Sequence, residues 1–193
     1  MSLSQKKNKT LAVITFFVGI SYPFIVYFGL WVSPPKTIAF CLIALLLLRL
    51  IWGKIEKKNN LELFVFAGAV VLTLVLLPLN EMLAIKIYPL TISFGLAVVF
   101  SYSILRPLTI IERIARRMAP NLNERGVRYT RQVTKAWVIF FIVNGVISAW
   151  TAIYANIDVW LLYNGFISYI LMGLLFSLEF LMRQTVKKHH FLR

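Results

Sequence analysis

Long apolar stretches alternate with short polar gaps along almost the whole chain. A hydrocarbon core about 30 Å thick takes roughly 20 apolar residues in helical form. On that measure the pattern predicts spans over about 10–32, 36–52, 61–79, 87–105, 136–155 and 159–182. Pro23 predicts a kink in the first. Ser33-Pro34-Pro35 and Asn156-Ile157-Asp158 read as tight turns, and Pro78 and Pro89 fall at span ends, where a missing amide costs little. Arg106 to Lys135 is the one long stretch without a span. The expected fold is an all-α integral membrane bundle of about six transmembrane helices, a single membrane domain over 1–193.

Composition agrees with this. Hydrophobic residues make up 60% of the chain, charged residues 15%, and the mean hydropathy is +0.79. Soluble domains carry more charge. A chain of 193 residues also leaves no room for a separate soluble catalytic module. The basic start, Lys6 to Lys9, leads into apolar sequence that continues to Trp31 with no small-x-small site, so it reads as a retained span. Cys41 is the single cysteine and forms no intrachain disulfide, which leaves the redox compartment open.

The cationic residues give the bundle a direction. Lys6, Lys7 and Lys9 precede the first span, and Arg49, Lys54, Lys57 and Lys58 border the gap after the second. Arg106, Arg113, Arg116, Arg117, Arg125, Arg128, Arg131 and Lys135 lie in the gap after the fourth; Arg183, Lys187, Lys188 and Arg193 occupy the tail. Of 21 basic residues only Lys36 and Lys86 fall in the intervening gaps. Basic loops stay on the cytoplasmic side, so the pattern predicts N-in, C-in topology. A five-span arrangement would leave one strongly basic region outside. Trp31, Trp52, Trp137 and Trp160 fall at proposed span ends with Trp150 nearby, the distribution of an interfacial aromatic belt. The formal charge of +14 therefore points to membrane lipids with anionic headgroups. No helix-turn-helix, zinc-finger or RRM pattern accompanies it, so nucleic acid is not an expected partner.

In the gap after the fourth span, Leu108, Ile111, Ile114, Ala115 and Met118 recur at three- and four-residue spacing. Thr109, Glu112, Arg113, Arg116 and Arg117 take the other face. This predicts a cytoplasmic basic amphipathic helix, ended by Ala119-Pro120-Asn121, that can lie at a membrane surface. Arg125, Arg128 and Arg131 follow at three-residue spacing and extend a candidate anion-binding face. Eight basic residues and two glutamates give the gap a formal charge of +6. Two readings stand: a topology-setting loop packed on its own bundle, or a site for lipid phosphate or an acidic carrier protein.

Asn144 in the fifth span and Asn164 in the sixth each precede a glycine. An amide in hydrocarbon seeks a partner, so an interhelical hydrogen bond competes here with the lining of a substrate path. Glu179 and Arg183 have the spacing of a local ion pair. His189 and His190 lack acidic or cysteine companions for a metal, and G-x-S-x-G, H-E-x-x-H and Walker patterns are absent. The sequence thus nominates no catalytic residue, cofactor or metal ligand.

One block carries a resemblance. Pro107-Leu-Thr-Ile-Ile-Glu-Arg-Ile-Ala-Arg-Arg-Met-Ala-Pro120 is followed by Val127-Arg-Tyr-Thr-Arg-Gln-Val-Thr134, Trp137, Phe140-Phe-Ile-Val-Asn-Gly145 and Trp150-Thr-Ala152. Over about 106–152 this resembles a family of small, uncharacterised bacterial inner-membrane proteins. Their genes tend to accompany aryl polyene or related type II fatty-acid-like biosynthetic genes. The earlier spans match that family mainly in hydropathy. The resemblance implies a Gram-negative inner membrane and a polyene-lipid assembly pathway, and it gives no residue an activity. Some members carry the name of a DNA gyrase subunit, which this chain contradicts, having no ATPase or topoisomerase module.

The function expected from these features is a non-enzymatic accessory in the synthesis or export of an acylated, aryl polyene-like lipid. Its basic segment would engage lipid phosphate, an acyl carrier protein or lipid-biosynthesis enzymes. A small lipid or solute transporter, with Asn144 and Asn164 lining a path, is the alternative. A membrane acyl- or glycosyltransferase and a structural or cell-division scaffold are the further readings.

Overall fold

The computed structural model describes residues 21–55, 60–118 and 122–188, and every element among them is helical. Helix α1 is described over 21–29. It is followed by α2 (Pro35–Ile55), α3 (Asn60–Leu76), α4 (Glu81–Lys86), α5 (Tyr88–Ile104), α6 (Ile110–Met118) and α7 (Glu124–Tyr154). Helix α8 (Ile157–Leu162) then passes through a π-helical turn (Tyr163–Ile167) into α9 (Ser168–Lys188). Residues 10–20 of the first expected span, the lysines before it, His189 and His190 lie outside the described residues, as do the side chains of Trp52 and Arg183.

Asparagines start three of these helices. Asn80, Asn123 and Asn156 each sit in extended backbone, and their Oδ1 atoms accept the amides of Leu83, Gly126 and Val159 at 2.9 Å. Glu81, Glu124 and Asp158 follow in the first turns, where negative charge complements the helix dipole. The 80–86 joint is a short helix, and residues 124–135 of the long gap belong to one 31-residue helix with the fifth predicted span.

Glu124–Tyr154 and Ile157–Met182 are long and apolar enough to cross a membrane, while Leu63–Leu76 and Tyr88–Ile104 are shorter apolar helices. The helices run alternately up and down. At one end Lys36 Nζ lies 3.0 Å from Glu81 Oε1, Lys86 Nζ donates to Ala155 O at 2.8 Å, and Trp160 Nε1 donates to Lys86 O at 3.1 Å. At the other end the Arg49 guanidinium lies 5.0 Å from the Phe66 ring centre, Arg131 donates to Ile104 O at 3.0 Å, and Tyr129 donates to Glu179 O at 3.2 Å. The two lysines that break the charge pattern are therefore both engaged at the first end. Burial also holds the Lys86 ammonium's pKa below its ordinary value.

Helices α5 and α7 form the most extensive pair. Gly145 permits their approach, since a Cβ there would lie 3.1 Å from the Phe94 ring. Gly95 does the same for α5 against α3: a Cβ would fall 2.1 Å from Val65, closer than real atoms come. A core of Tyr22, Val26, Leu42, Ile85 and Trp160 fills one half of the bundle, and Ala97, Trp137 and Phe141 centre a second cluster. Trp137 and Trp160, expected in an aromatic belt, are thus core residues at 9% and 0% exposure; Trp31 and Trp150 are exposed.

Candidate functional site: an arginine-lined cavity and a buried polar column

Helix α6 is fixed from its first turn. Thr109 Oγ1 accepts the amide of Glu112 at 3.2 Å, the hydroxyl half of a capping box whose sequence signature is Thr109-x-x-Glu112. The Glu112 carboxylate turns instead to Arg116, with Oε1 at 2.9 Å from Nε and 2.8 Å from the terminal nitrogen. Glu112, expected on the polar outward face, is buried together with Thr109 and Ala115. The apolar residues Leu108 and Ile114 are exposed. The helix is turned from its expected setting because a carboxylate paired to its own arginine can be buried, and burying it brings the capping threonine inward too.

This rotation places Ile110, Arg113, Ile114 and Arg117, which share one face at helical spacing, along a cavity of about 400 Å³. Arg49 of α2, Val65 and Phe66 of α3, and Ile92, Gly95, Leu96, Val99 and Phe100 of α5 complete the lining. Its walls are apolar apart from three guanidiniums. Arg113 Nε donates to Leu108 O at 3.3 Å, and Arg49 stacks on Phe66. The ion pairs among the described residues engage none of the three. The volume lies within the roughly 300–1,000 Å³ typical of small-ligand sites.

The six arginines singled out from sequence have different surroundings. Arg113 and Arg117 reach the cavity, while Arg116 is committed to Glu112. Arg128 lies 3.7 Å from Glu124 on the surface, Arg131 binds the last carbonyl of α5, and Arg125 is exposed. Arg49 joins the cavity from a distant helix. Its position in an apolar run reads in sequence as a snorkelling cation, and only the fold, in which α6 packs on α7 and borders the same cavity, reveals the shared site.

Asn144 and Asn164 belong to a buried polar column. Asn144 donates to Ser93 Oγ at 2.9 Å and accepts from Tyr163 Oη at 3.0 Å. Asn164 accepts from Ser148 Oγ at 2.6 Å and donates to Thr151 Oγ1 and Trp160 O at 3.1 and 3.0 Å. The column therefore joins α5, α7 and the π-helical turn, and no buried side-chain polar atom among the described residues lacks a partner. The described residues also contain no cluster of His, Cys, Asp or Glu suited to a metal. Comparisons with protein-family models, with curated proteins and with solved structures found no match.

Proposed function

We propose that the chain is a six-span, N-in, C-in inner-membrane protein that assists the synthesis or export of an acylated lipid without catalysing a reaction itself. Helix α6 is its cytoplasmic docking element, engaging a lipid phosphate or an acidic carrier protein. The observation that carries this reading is the way α6 is held. Thr109, Glu112 and Ala115 are buried against the bundle and Ile110 N donates to Ser103 Oγ at the end of α5, while among the described residues Arg113 and Arg117 enter no carboxylate pair. A helix needed only for orientation requires positive charge but no such fixation. The resemblance over 106–152 supplies the polyene-lipid context. A transport path along Asn144 and Asn164 has less support, because both amides are spent on hydrogen bonds within the bundle.

Orientation is tested with single cysteines in a Cys41→Ser background. Leu79→Cys, at an exposed position near Glu81, is expected to react with a membrane-impermeant maleimide in intact cells. Arg128→Cys, at the opposite end, should react only after permeabilisation; labelling of both from outside would overturn the topology. The docking role is tested by Arg113→Glu with Arg117→Glu, leaving Arg116 to its ion pair. Acylated-lipid output, measured by mass spectrometry in the producing strain, should fall while protein abundance holds. Unchanged output would remove the docking role.

A further inference from the structure

We infer that the cavity beneath α6 is a binding site for an anionic glycerophospholipid of phosphatidate type, its phosphate held by Arg49, Arg113 and Arg117 and one acyl chain lying along α5. The inference rests on the reading that this end of the bundle meets the inner leaflet. It goes further by naming the ligand and by adding a residue from a distant helix.

Two opposed chemistries meet in one space. Arg49, Arg113 and Arg117 bring three positive charges to a cavity whose remaining wall is hydrocarbon, including Val65, Leu96 and Val99. Guanidinium forks match phosphate oxygens in paired hydrogen bonds, and a phosphomonoester carries more charge for three arginines to meet than one carboxylate does. An apolar wall offers nothing to a free phosphate ion, and three arginines offer nothing to a neutral acyl chain. An amphiphile with a phosphate at the end of a chain satisfies both. Gly95 shapes the apolar part: it lets α3 and α5 close on each other, so the cavity is bounded by Val65 and Phe66 on one side and Ile92 and Leu96 on the other.

The surrounding contacts separate this set from ordinary surface charge. Arg116 is one residue from Arg117 yet faces away, tied to Glu112. Arg128 has a carboxylate 3.7 Å away, and Arg131 caps a helix end. The cavity thus takes one subset of the basic residues, while Arg116, Arg128 and Arg131 are engaged elsewhere and Arg125 is exposed.

The test uses the full chain in phosphatidylcholine nanodiscs, titrated with dioleoyl phosphatidate and read by native mass spectrometry. The expected result is saturable binding of one phosphatidate per chain. Arg113→Gln with Arg117→Gln should weaken it roughly tenfold or more. Ile114→Trp, which fills the cavity from an exposed position, should weaken it as well, and Arg128→Gln should leave it unchanged. Oleate or inorganic phosphate competing as well as phosphatidate would overturn the inference, by showing that chain or anion alone suffices. Equal loss in Arg128→Gln would overturn it too, since general surface charge would then be responsible. Thermal unfolding of each variant separates loss of the site from loss of the fold. If phosphatidate binding survives the double substitution while lipid output falls, the site is refuted and the docking role stands. If binding is lost while output is unchanged, the docking role fails and the site stands.

Discussion

Replacing Trp160 with alanine is expected to destabilise the protein by about 3–5 kcal/mol, the largest effect of any single substitution considered. The indole is fully buried among Ile85, Ala84 and Val26, and it is the largest such side chain. Removing it loses dispersion contacts, the form of packing energy that remains available between helices in lipid. It also strips the donor from Lys86 O, in the same residue whose Nζ holds Ala155 O. The link between α4 and the α7–α8 turn would then loosen at both points. Trp160→Phe restores much of the volume without the N–H and should cost about 1–2 kcal/mol. Unfolding in mild detergent, followed by far-UV circular dichroism, measures both; equal effects of the two substitutions would refute this account.

The second large effect is an asymmetry within one ion pair. Arg116→Ala is expected to cost about 3 kcal/mol, and Glu112→Gln roughly half of that. The Glu112 side chain is 3% exposed, whereas that of Arg116 is 36% exposed. Loss of the arginine strands a buried carboxylate beside Thr109 and Ala115 without its charged partner. Loss of the carboxylate leaves an arginine that can turn to the surface. Protease accessibility of α6 in nanodiscs provides the measurement. Arg116→Ala should expose the segment and Glu112→Gln should not. The reverse order would show that the pair does not anchor the helix.

The helical architecture is legible in sequence wherever one physical requirement dominates. Long, mostly apolar runs predict helices at 36–52, 61–79 and 87–105, close to their observed extents. The turns at Asn80 and Asn156 were readable as breaks. The Asn-then-acid pattern at Asn80-Glu81, Asn123-Glu124 and Asn156-x-Asp158 is the local signal that marks these helix starts. The setting of α6 was harder to read. Hydrophobic spacing puts Ile111, Ile114 and Ala115 inward; Ala115 is buried and Ile111 packs on the second cluster, but Ile114 is exposed and Glu112 is buried with its arginine beside it. The cavity was out of reach altogether, because Arg49 lies 64 positions before Arg113 in the chain and nothing local joins them.

The π-helical turn at Tyr163–Ile167 has a consequence for the phase of everything after it. An α-helix advances about 100° per residue, so one extra residue in a turn sets the following helix back by that angle. From Trp160, unbroken 3.6-residue steps point inward near 164, 167, 171, 174 and 178. The side chains that face the bundle are instead Asn164, Ser168, Met172, Leu175 and Glu179, whereas Ile167, Leu171, Leu174 and Leu178 are exposed. A helical wheel drawn straight through 157–188 would therefore put leucines in the core and Ser168 outside. The added residue lets Tyr163 and Asn164 both reach α7 and offsets α9 by one position, so a single-residue deletion there would rotate the whole C-terminal helix against its neighbours.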